Sequence, residues 1–377
     1  MTDKGKRQIF SFGTILFVLS LIYGSIIRLR RIFYEKKILL PKKLPCKTIS
    51  IGNLTVGGTG KTPMTIHVAH LVEKLGYKTA VISRGYKGKA EKNGGIVSDG
   101  RTIFMGPDEA GDEPFMMATK LKKVPVIVGQ NRFEMGMLAL KEFKPDVIIF
   151  DDAFQHLRLT RDIDLVLIDS IDPFGNKHLL PRGILREPFS ALLRGDAFIL
   201  TRSEFMPDST VSAITFFKKY KYLGRGKPAF KSFHIPYIHN ILKGKRVSIL
   251  ETDESSTVFN SDFLKGCRLF AFSGIGNNND FKRTIENFKC VVTGFLQFPD
   301  HHLYSDEDLD KILHQSIISG ANFIATTEKD YVRIAGRVDW PIDLVIIGIK
   351  TSFGKENDLF NDFIKTKLQS AGIEEPR

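Results

Sequence analysis

The stretch Thr48-Ile49-Ser50-Ile51, followed by Thr55-Val56-Gly57-Gly58-Thr59-Gly60-Lys61-Thr62 and Met64-Thr65-Ile66-His67-Val68-Ala69-His70-Leu71-Val72, decides the fold. It reads as a strand, a glycine-rich turn and a helix start, the setting in which such a turn holds phosphate. The glycines let backbone N–H groups close around phosphate oxygens, and the helix start adds the positive end of its dipole. Lys61 would reach the β- and γ-phosphates of a nucleotide, and the Thr62 hydroxyl would ligate Mg²⁺. Thr55 stands where the pattern G-x-x-x-x-G-K-[ST] has its first glycine, so the run is the deviant G-G-x-G-K-T form of this P-loop. Val56 occupies the position where many such proteins carry an extra lysine. All eight residues, Thr55, Val56, Gly57, Gly58, Thr59, Gly60, Lys61 and Thr62, are candidates for the nucleotide cradle.

Further along the chain, apolar runs at 79–83, 124–129, 146–150, 164–169 and 197–201 alternate with helical patterns, one of them at 131–143. Continuous apolar strands separated by helices predict a parallel sheet covered on both faces, with ligands gathered at the carboxyl ends of its strands. Residues 94–102 read as a glycine-rich excursion, and 221–256, broken by Gly224, Gly226 and Pro228, as extended linker strands. A second α/β series follows, with strands at 269–272, 290–295, 323–326 and 344–347 and helices at 280–288 and from Ser305 to 319. The organisation expected is a membrane-anchoring helix over 1–35, a P-loop domain over 36–222, linker strands over 223–260 and a smaller α/β domain over 261–377.

A chain of 377 residues is long enough for two α/β domains with full cores. Its three cysteines, Cys46, Cys267 and Cys290, show no C-x-x-C spacing, which excludes a disulfide scaffold and fits a reducing cytoplasm. The net charge of +13 is concentrated around an uncharged run, 9–27. Lys4, Lys6 and Arg7 precede that run, and Arg28, Arg30, Arg31, Lys36, Lys37, Lys42, Lys43 and Lys47 follow it. As a helix the run spans about 28 Å, just under the hydrocarbon thickness of a bilayer, so spanning and shallow insertion are both compatible with it. No small-residue cleavage site follows and the basic cluster sits on the wrong side for a signal peptide, so an uncleaved segment is expected, and the cluster would keep the following domain cytoplasmic. Each of its cations adds about 1 kcal/mol of attraction to anionic lipid, so a membrane surface is an expected partner. Nucleic acid is not, since no binding motif accompanies the charge.

Other chemistry-bearing residues fall outside the glycine loop. Asp151 and Asp152 end an apolar strand, the position of the acid that holds Mg²⁺ in P-loop enzymes, with Asp169 a competitor. Gly111-Asp112-Glu113-Pro114 sets a carboxylate in what reads as a rigid turn, suited to take a proton from an alcohol that accepts a phosphoryl group. Phe298-Pro299-Asp300-His301-His302-Leu303-Tyr304 offers two adjacent histidines, which cannot readily share one face; one of them could order a carboxylate base, and no zinc set is spaced around them. Leu180-Pro181-Arg182-Gly183-Ile184-Leu185-Arg186-Glu187-Pro188 places arginines on a proline-bounded loop, suited to an anionic substrate. Thr201-Arg202-Ser203-Glu204 echoes the guanine-reading N-K-x-D pattern with both key residues replaced.

With the Thr201–Glu204 echo set aside, the glycine loop and these motifs, together with Ser83-Arg84-Gly85-Tyr86, Asn131-Arg132 and Asp151-Asp152-Ala153-Phe154-Gln155-His156, form an ordered series covering most of the chain. The series resembles the tetraacyldisaccharide 4'-kinase family, the lipid A kinases of Gram-negative bacteria, with Ala153 where a glycine is usual. The resemblance implies transfer of the ATP γ-phosphate to the 4'-hydroxyl of tetraacyldisaccharide 1-phosphate, a lipid substrate, by a protein on the cytoplasmic face of the bacterial inner membrane. It implies two α/β domains joined by a strand linker, with the site in the cleft between them. It makes Asp112 the general base, helped by a histidine of the Asp-His-His run, with His301 favoured over His302. Lys61 and Thr62 would hold ATP and Mg²⁺, and Asp151 and Asp152 would organise the metal. Tyr86, Arg132, Gln155, His156, Arg186, Glu187 and His302 would lie at the substrate or phosphate pocket. A monomer is expected. The rival readings are a membrane-tethered nucleotide switch, which needs neither the Asp112 turn nor the histidines, and a kinase for another amphiphile.

Overall fold

Strands that are apolar at every position must be covered on both faces, and the computed structural model shows that arrangement over the residues it describes, 4–205, 226–244 and 261–370. The chain divides into two units, the first made of Met1–His234 with Thr351–Arg377 and the second of Ile235–Lys350. The first unit opens with helix α1 (Lys4–Glu35). The side chains of Lys4, Lys6 and Arg7 lie outside the described residues. Next come β1 (Lys47–Asn53), α2 (Lys61–Lys74), β2 (Thr79–Ser83), β3 (Gly95–Ser98), α3 (Pro107–Ala110), α4 (Asp112–Lys120), β4 (Val126–Val128) and α5 (Arg132–Phe143). They are followed by β5 (Val147–Asp151), β6 (Ile163–Asp169), β7 (Ala197–Thr201) and β8 (Ala229–Lys231). These strands form one eight-stranded sheet in the order β3-β4-β2-β5-β1-β6-β7-β8. It is parallel except for β3, which runs antiparallel to β4 at the edge.

Ile49, Val81, Ile149 and Leu165 of the sheet pack with Met64, Val68 and Val72 of α2 in one core. On other faces Ile82 and Phe150 pack with Leu44 and Ala139, and Val166 and Phe198 with Phe154 and Leu192. Because β1, β2 and β5 run in one direction, their carboxyl ends present Asn53, Ser83 and Asp151 along a single edge. That edge is where the motifs collect.

The second unit contains β9 (Phe233–Leu242), β10 (Arg268–Ser273), α6 (Asn278–Glu286), β11 (Val291–Gln297), α7 (Asp306–Ile318), β12 (Phe323–Thr327), α8 (Glu328–Ile334) and β13 (Asp343–Ser352). Its five strands are ordered β11-β10-β12-β13-β9. A reciprocal capping box between Ser305 and Asp308 starts α7, as the serine followed by acids predicts.

Three sequence expectations are corrected. Part of the glycine-rich excursion is the edge strand β3. The expected linker segment contains β8, a member of the first sheet, and all of β9, a member of the second; its parts at 223–225 and 245–260 lie outside the described residues. The last helix, α9 (Asn357–Ser370), expected within the second domain, belongs to the first unit instead. There Phe353, Phe360, Ile364 and Leu368 join the core of α2, with the Phe353 ring 5.3 Å from that of His67 and 3.9 Å from that of Phe360.

Candidate active site

Between β1 and α2 the chain turns through Gly57 (φ 115°) and Gly60 (φ 79°), both in the region that favours glycine. Gly60 has a second constraint: a Cβ there would lie 2.6 Å from Nε2 of His234. Burial holds the His234 imidazole at about 4, so an uncharged ring covers this side of the loop at neutral pH. Asn53 donates its amide to Thr59 Oγ1 at 2.9 Å and to Thr55 Oγ1 at 3.4 Å, tying the loop to the strand end. Val56 N–H is given to Ile184 O at 2.8 Å, and Arg186 N–H to Leu54 O at 2.7 Å. Thr55 and Val56 are therefore committed to neighbouring protein, and the stretch left to face a phosphate is Gly57–Thr62.

Two carboxylates end β5 in different surroundings. Asp151 is fully buried and accepts hydrogen bonds from Thr65 and Ser83, each at 3.1 Å. Burial, reinforced by the charges of Glu113 and Asp152, pushes its carboxyl up to about 7. Asp152, at φ 50°, turns to the open side and receives Arg186 Nη1 at 2.9 and 3.0 Å, with Lys61 Nζ 3.8 Å away. Burial would raise this carboxyl, but Lys61 and Arg186 outweigh it and hold it below the usual carboxylate range. Asp169, the competitor, is buried in an ion pair with Arg202 and accepts Ile171 N–H, which removes it from the glycine loop's chemistry. The same pair accounts for Arg202 of the Thr-Arg-Ser-Glu echo.

The other first-unit candidates surround these acids. Arg132, buried at the start of α5, donates to Gly129 O at 2.7 Å and lies 3.5 Å from Asp151 O. Burial lowers its guanidinium to about 10, so it stays charged at neutral pH. Gln155 donates to Asn53 O at 2.7 Å. His156 is held at about 4 by burial and then by Arg132 and Arg161, so it is neutral. Glu187, expected at the substrate, is instead buried against Arg194 at 2.8 Å. Tyr86 is exposed, with Arg84 and Lys87 about 5.9 and 5.8 Å from its ring centroid.

Asp112 differs from its expectation. It is not on an isolated turn but is the first residue of α4, after Gly111 (φ 87°) breaks the path from α3. Pro114 fits because the first helical turn needs no N–H from it. A Cβ on Gly111 would lie 2.9 Å from Tyr86 O, and one on Gly88 would lie 2.6 Å from Gly111 N, so the Ser83–Tyr86 loop and the Asp112 helix start meet backbone to backbone.

In the second unit the two histidines are separated by the left-handed backbone of His301 (φ 60°). His302 stacks on Phe298 at 4.7 Å and its Nε2 lies 2.8 Å from Asp308 Oδ2, which commits its ring to the start of α7. The ring nitrogens of His301 meet two cations of α8: Arg333 Nη2 is 2.9 Å from Nδ1, and Lys329 Nζ is 3.1 Å from Nε2. Neither cation was singled out by sequence, because α8 is a single short helix with no motif.

The family model described as "Tetraacyldisaccharide-1-P 4'-kinase" matches residues 12–369. The chain belongs to this 4'-kinase family. It is 40% identical over 360 residues to the tetraacyldisaccharide 4'-kinase of Desulfatibacillum aliphaticivorans, covering 95% of this chain and 93% of that one. It is 42% identical over 338 residues to that of Syntrophus aciditrophicus, covering 88% and 87%. Among solved structures, an "apo" form of LpxK from Aquifex aeolicus in complex with ATP is similar at a TM-score of 0.71, with 33% identity and 95% and 99% coverage. Within this 4'-kinase, sequence reasoning missed groups that hold motif residues rather than form them, Asn53, Thr65, His234, Lys329 and Arg333, and gave Ser83, a motif residue, no role.

Proposed function

We propose that the protein is an ATP-dependent kinase that phosphorylates the 4'-hydroxyl of tetraacyldisaccharide 1-phosphate. The observation that carries this reading is the convergence, in one unit, of a phosphate-binding loop, two strand-end acids of opposite character and the Asp112 helix start. Lys61 and the N–H groups of Gly57–Thr62 hold the nucleotide phosphates. Asp112 takes the proton of the acceptor hydroxyl as its oxygen bonds to the γ-phosphorus and the bond from that phosphorus to the β-phosphate oxygen breaks. The family resemblance makes His301 the helper of that base. Arg186 and Arg132 supply positive charge for the phosphates.

The donors present fit Mg²⁺. The described residues contain no cluster of three or more His, Cys, Asp or Glu side chains for a metal, but Mg²⁺ is held by one or two carboxylates with phosphate oxygens and water. Thr62, Asp151 and Asp152 are oxygen donors of that kind, and the charge of Lys61 offsets only part of the desolvation of buried Asp151. When bound, the ion neutralises charge on the phosphates. Since the Asp151 carboxyl titrates at about 7, protons compete for the site below that pH. Mg²⁺ affinity of the ATP complex should fall on the order of tenfold from pH 8 to pH 6, a change lost in Asp151→Asn. A pH-independent affinity in the unmodified protein would take Asp151 out of the metal site.

The same carboxyl sets a stability prediction. Its folded value lies above the unfolded one, so ionised Asp151 costs stability fully above pH 7, and the cost disappears as pH falls from 7 toward 4. Asp151→Asn should therefore melt higher than the unmodified protein at pH 8, by a margin that narrows below pH 7 and closes only near pH 4. A constant margin would remove this account.

Helix α1 supports placement on the cytoplasmic face of the inner membrane. Phe12–Glu35 is long and apolar enough to cross a membrane by length and composition, and only 11% of its apolar window is buried. Yet Ser20 bonds Leu179 O, Tyr23 bonds Arg186 O and Arg31 bonds Ser190 Oγ, at 3.0, 2.8 and 2.7 Å. A helix fastened along this length to the first unit lies beside it, with Ile15, Ile22, Ile26 and Leu29 left outward for the lipid interface.

The test is ATP consumption by the purified protein in detergent with and without tetraacyldisaccharide 1-phosphate, following the lipid by mass. Lipid-dependent turnover with one added phosphate is expected. Lipid-independent hydrolysis with the lipid unchanged would favour the nucleotide switch.

A further inference from the structure

His301 is the centre of a hydrogen-bond conflict that chemistry resolves in one way. Arg333 Nη2 lies 2.9 Å from Nδ1, and Lys329 Nζ lies 3.1 Å from Nε2. A guanidinium and an ammonium have only donors, whereas a neutral imidazole accepts at one nitrogen and donates at the other. Both cations therefore cannot bond the ring at once. Lys329 has another acceptor, Asp300 Oδ1, at 3.1 Å. Arg333 is fixed by its second arm, since Nη1 donates to His302 O at 2.7 Å and the planar fork moves as one piece. The His301 backbone is also held, its N–H bonded to Gly274 O at 3.2 Å, and Gly274 N–H is in turn bonded to Asp330 at 3.0 Å. Lys329 is the partner that yields.

We propose that Arg333 fixes the tautomer of His301, making Nδ1 the acceptor and leaving the proton on Nε2. His301 then offers an N–H donor from Nε2, the hydrogen bond a carboxylate can accept, and cannot itself take a proton at Nδ1 without losing Arg333. Arg333 is thus a positioning residue, and Lys329 turns to its other acceptor, Asp300, whose Oδ1 also lies 3.9 Å from Nε2. The catalytic consequence rests on the proposed role of His301 as helper of the base; the tautomer does not.

The experiment is ¹⁵N NMR of the full-length protein labelled at histidine, with the His301 signals identified by their absence in His301→Gln. The unmodified protein should show an unprotonated Nδ1 and a protonated Nε2, and Lys329→Met should show the same. Arg333→Met should give mixed tautomers and lower kcat about tenfold, with KM for ATP unchanged, since a misoriented imidazole still occupies its place. Should Arg333→Met fail to fold, the unmodified protein and Lys329→Met decide the matter alone. A protonated Nδ1 in the unmodified protein, or a tautomer that follows Lys329 rather than Arg333, overturns the assignment. A tautomer that moves with Arg333 while turnover stays constant upholds the assignment and removes His301 from the reaction.

Discussion

Asp112→Asn should lower kcat on the order of 10³-fold while ATP binding changes no more than about twofold, the signature of a lost proton acceptor in phosphoryl transfer. The substitution keeps the shape of the side chain and the start of α4, so a large loss cannot be assigned to a broken helix. A 10³-fold loss corresponds to about 4 kcal/mol of transition-state stabilisation. That exceeds what one neutral hydrogen bond supplies, about 1 kcal/mol, and fits a group whose charge is needed. Glu113 is the natural control. It follows Asp112 on the same helix turn, and its charge helps raise the Asp151 carboxyl. Glu113→Gln should leave kcat within a few fold and shift the pH at which Mg²⁺ affinity weakens to lower values. If instead Glu113→Gln abolished turnover and Asp112→Asn spared it, the base would be Glu113. Equal losses of ATP binding and turnover in Asp112→Asn would place Asp112 among the binding groups.

The parts of this site that could be read from sequence are those whose chemistry is local. Gly57, Gly60, Lys61 and Thr62 lie in one turn of chain, and Asp151 ends an apolar run, the signal that made it a candidate with Asp169 as its competitor. The sheet was legible for the same reason: β2 and β7 match the apolar runs residue for residue. What escaped is set by distance along the chain. Edge strand β3 has Gly95 and Ile96 only partly buried, so its pattern does not stand out from a loop. The membership of β8 and β9 in different sheets depends on pairing with β7 and β13, which no local pattern encodes. Helix α9 is amphipathic like any surface helix, and only the ring contacts of Phe353 and Phe360 show which core it completes. In the site, Thr65 and Ser83 look like ordinary residues of a helix and a strand until their hydroxyls meet Asp151. Glu187 was set at the substrate pocket by the family resemblance alone, and no local pattern shows that Arg194 takes it inward.

Removing residues 1–31 should lower partitioning to anionic vesicles by at least about 100-fold, since several outward aliphatic side chains, each worth on the order of 1 kcal/mol when buried, leave together with Lys4, Lys6 and the four flanking arginines. The same truncation should reduce turnover even on detergent-dispersed lipid, where membrane recruitment no longer matters. The reason lies in the loop that α1 holds. Ser20, Tyr23 and Arg31 bond Leu179, Arg186 and Ser190, and a Cβ at Gly24 would lie 2.7 Å from Leu179, so helix and loop are in direct contact. That loop gives Ile184 O to the glycine turn and Arg186 to Asp152. Loosening it exposes Asp152 to water and frees Val56 N–H, disturbing the cradle from outside. Tyr23→Phe separates the two effects. It should leave vesicle recovery unchanged, because the ring remains, yet lower kcat/KM a few fold by releasing Arg186 O, the energy of one hydrogen bond. Unchanged vesicle recovery after truncation would assign the anchor elsewhere in the chain. Full activity of the truncated protein on dispersed lipid would show that α1 recruits the enzyme without shaping its site.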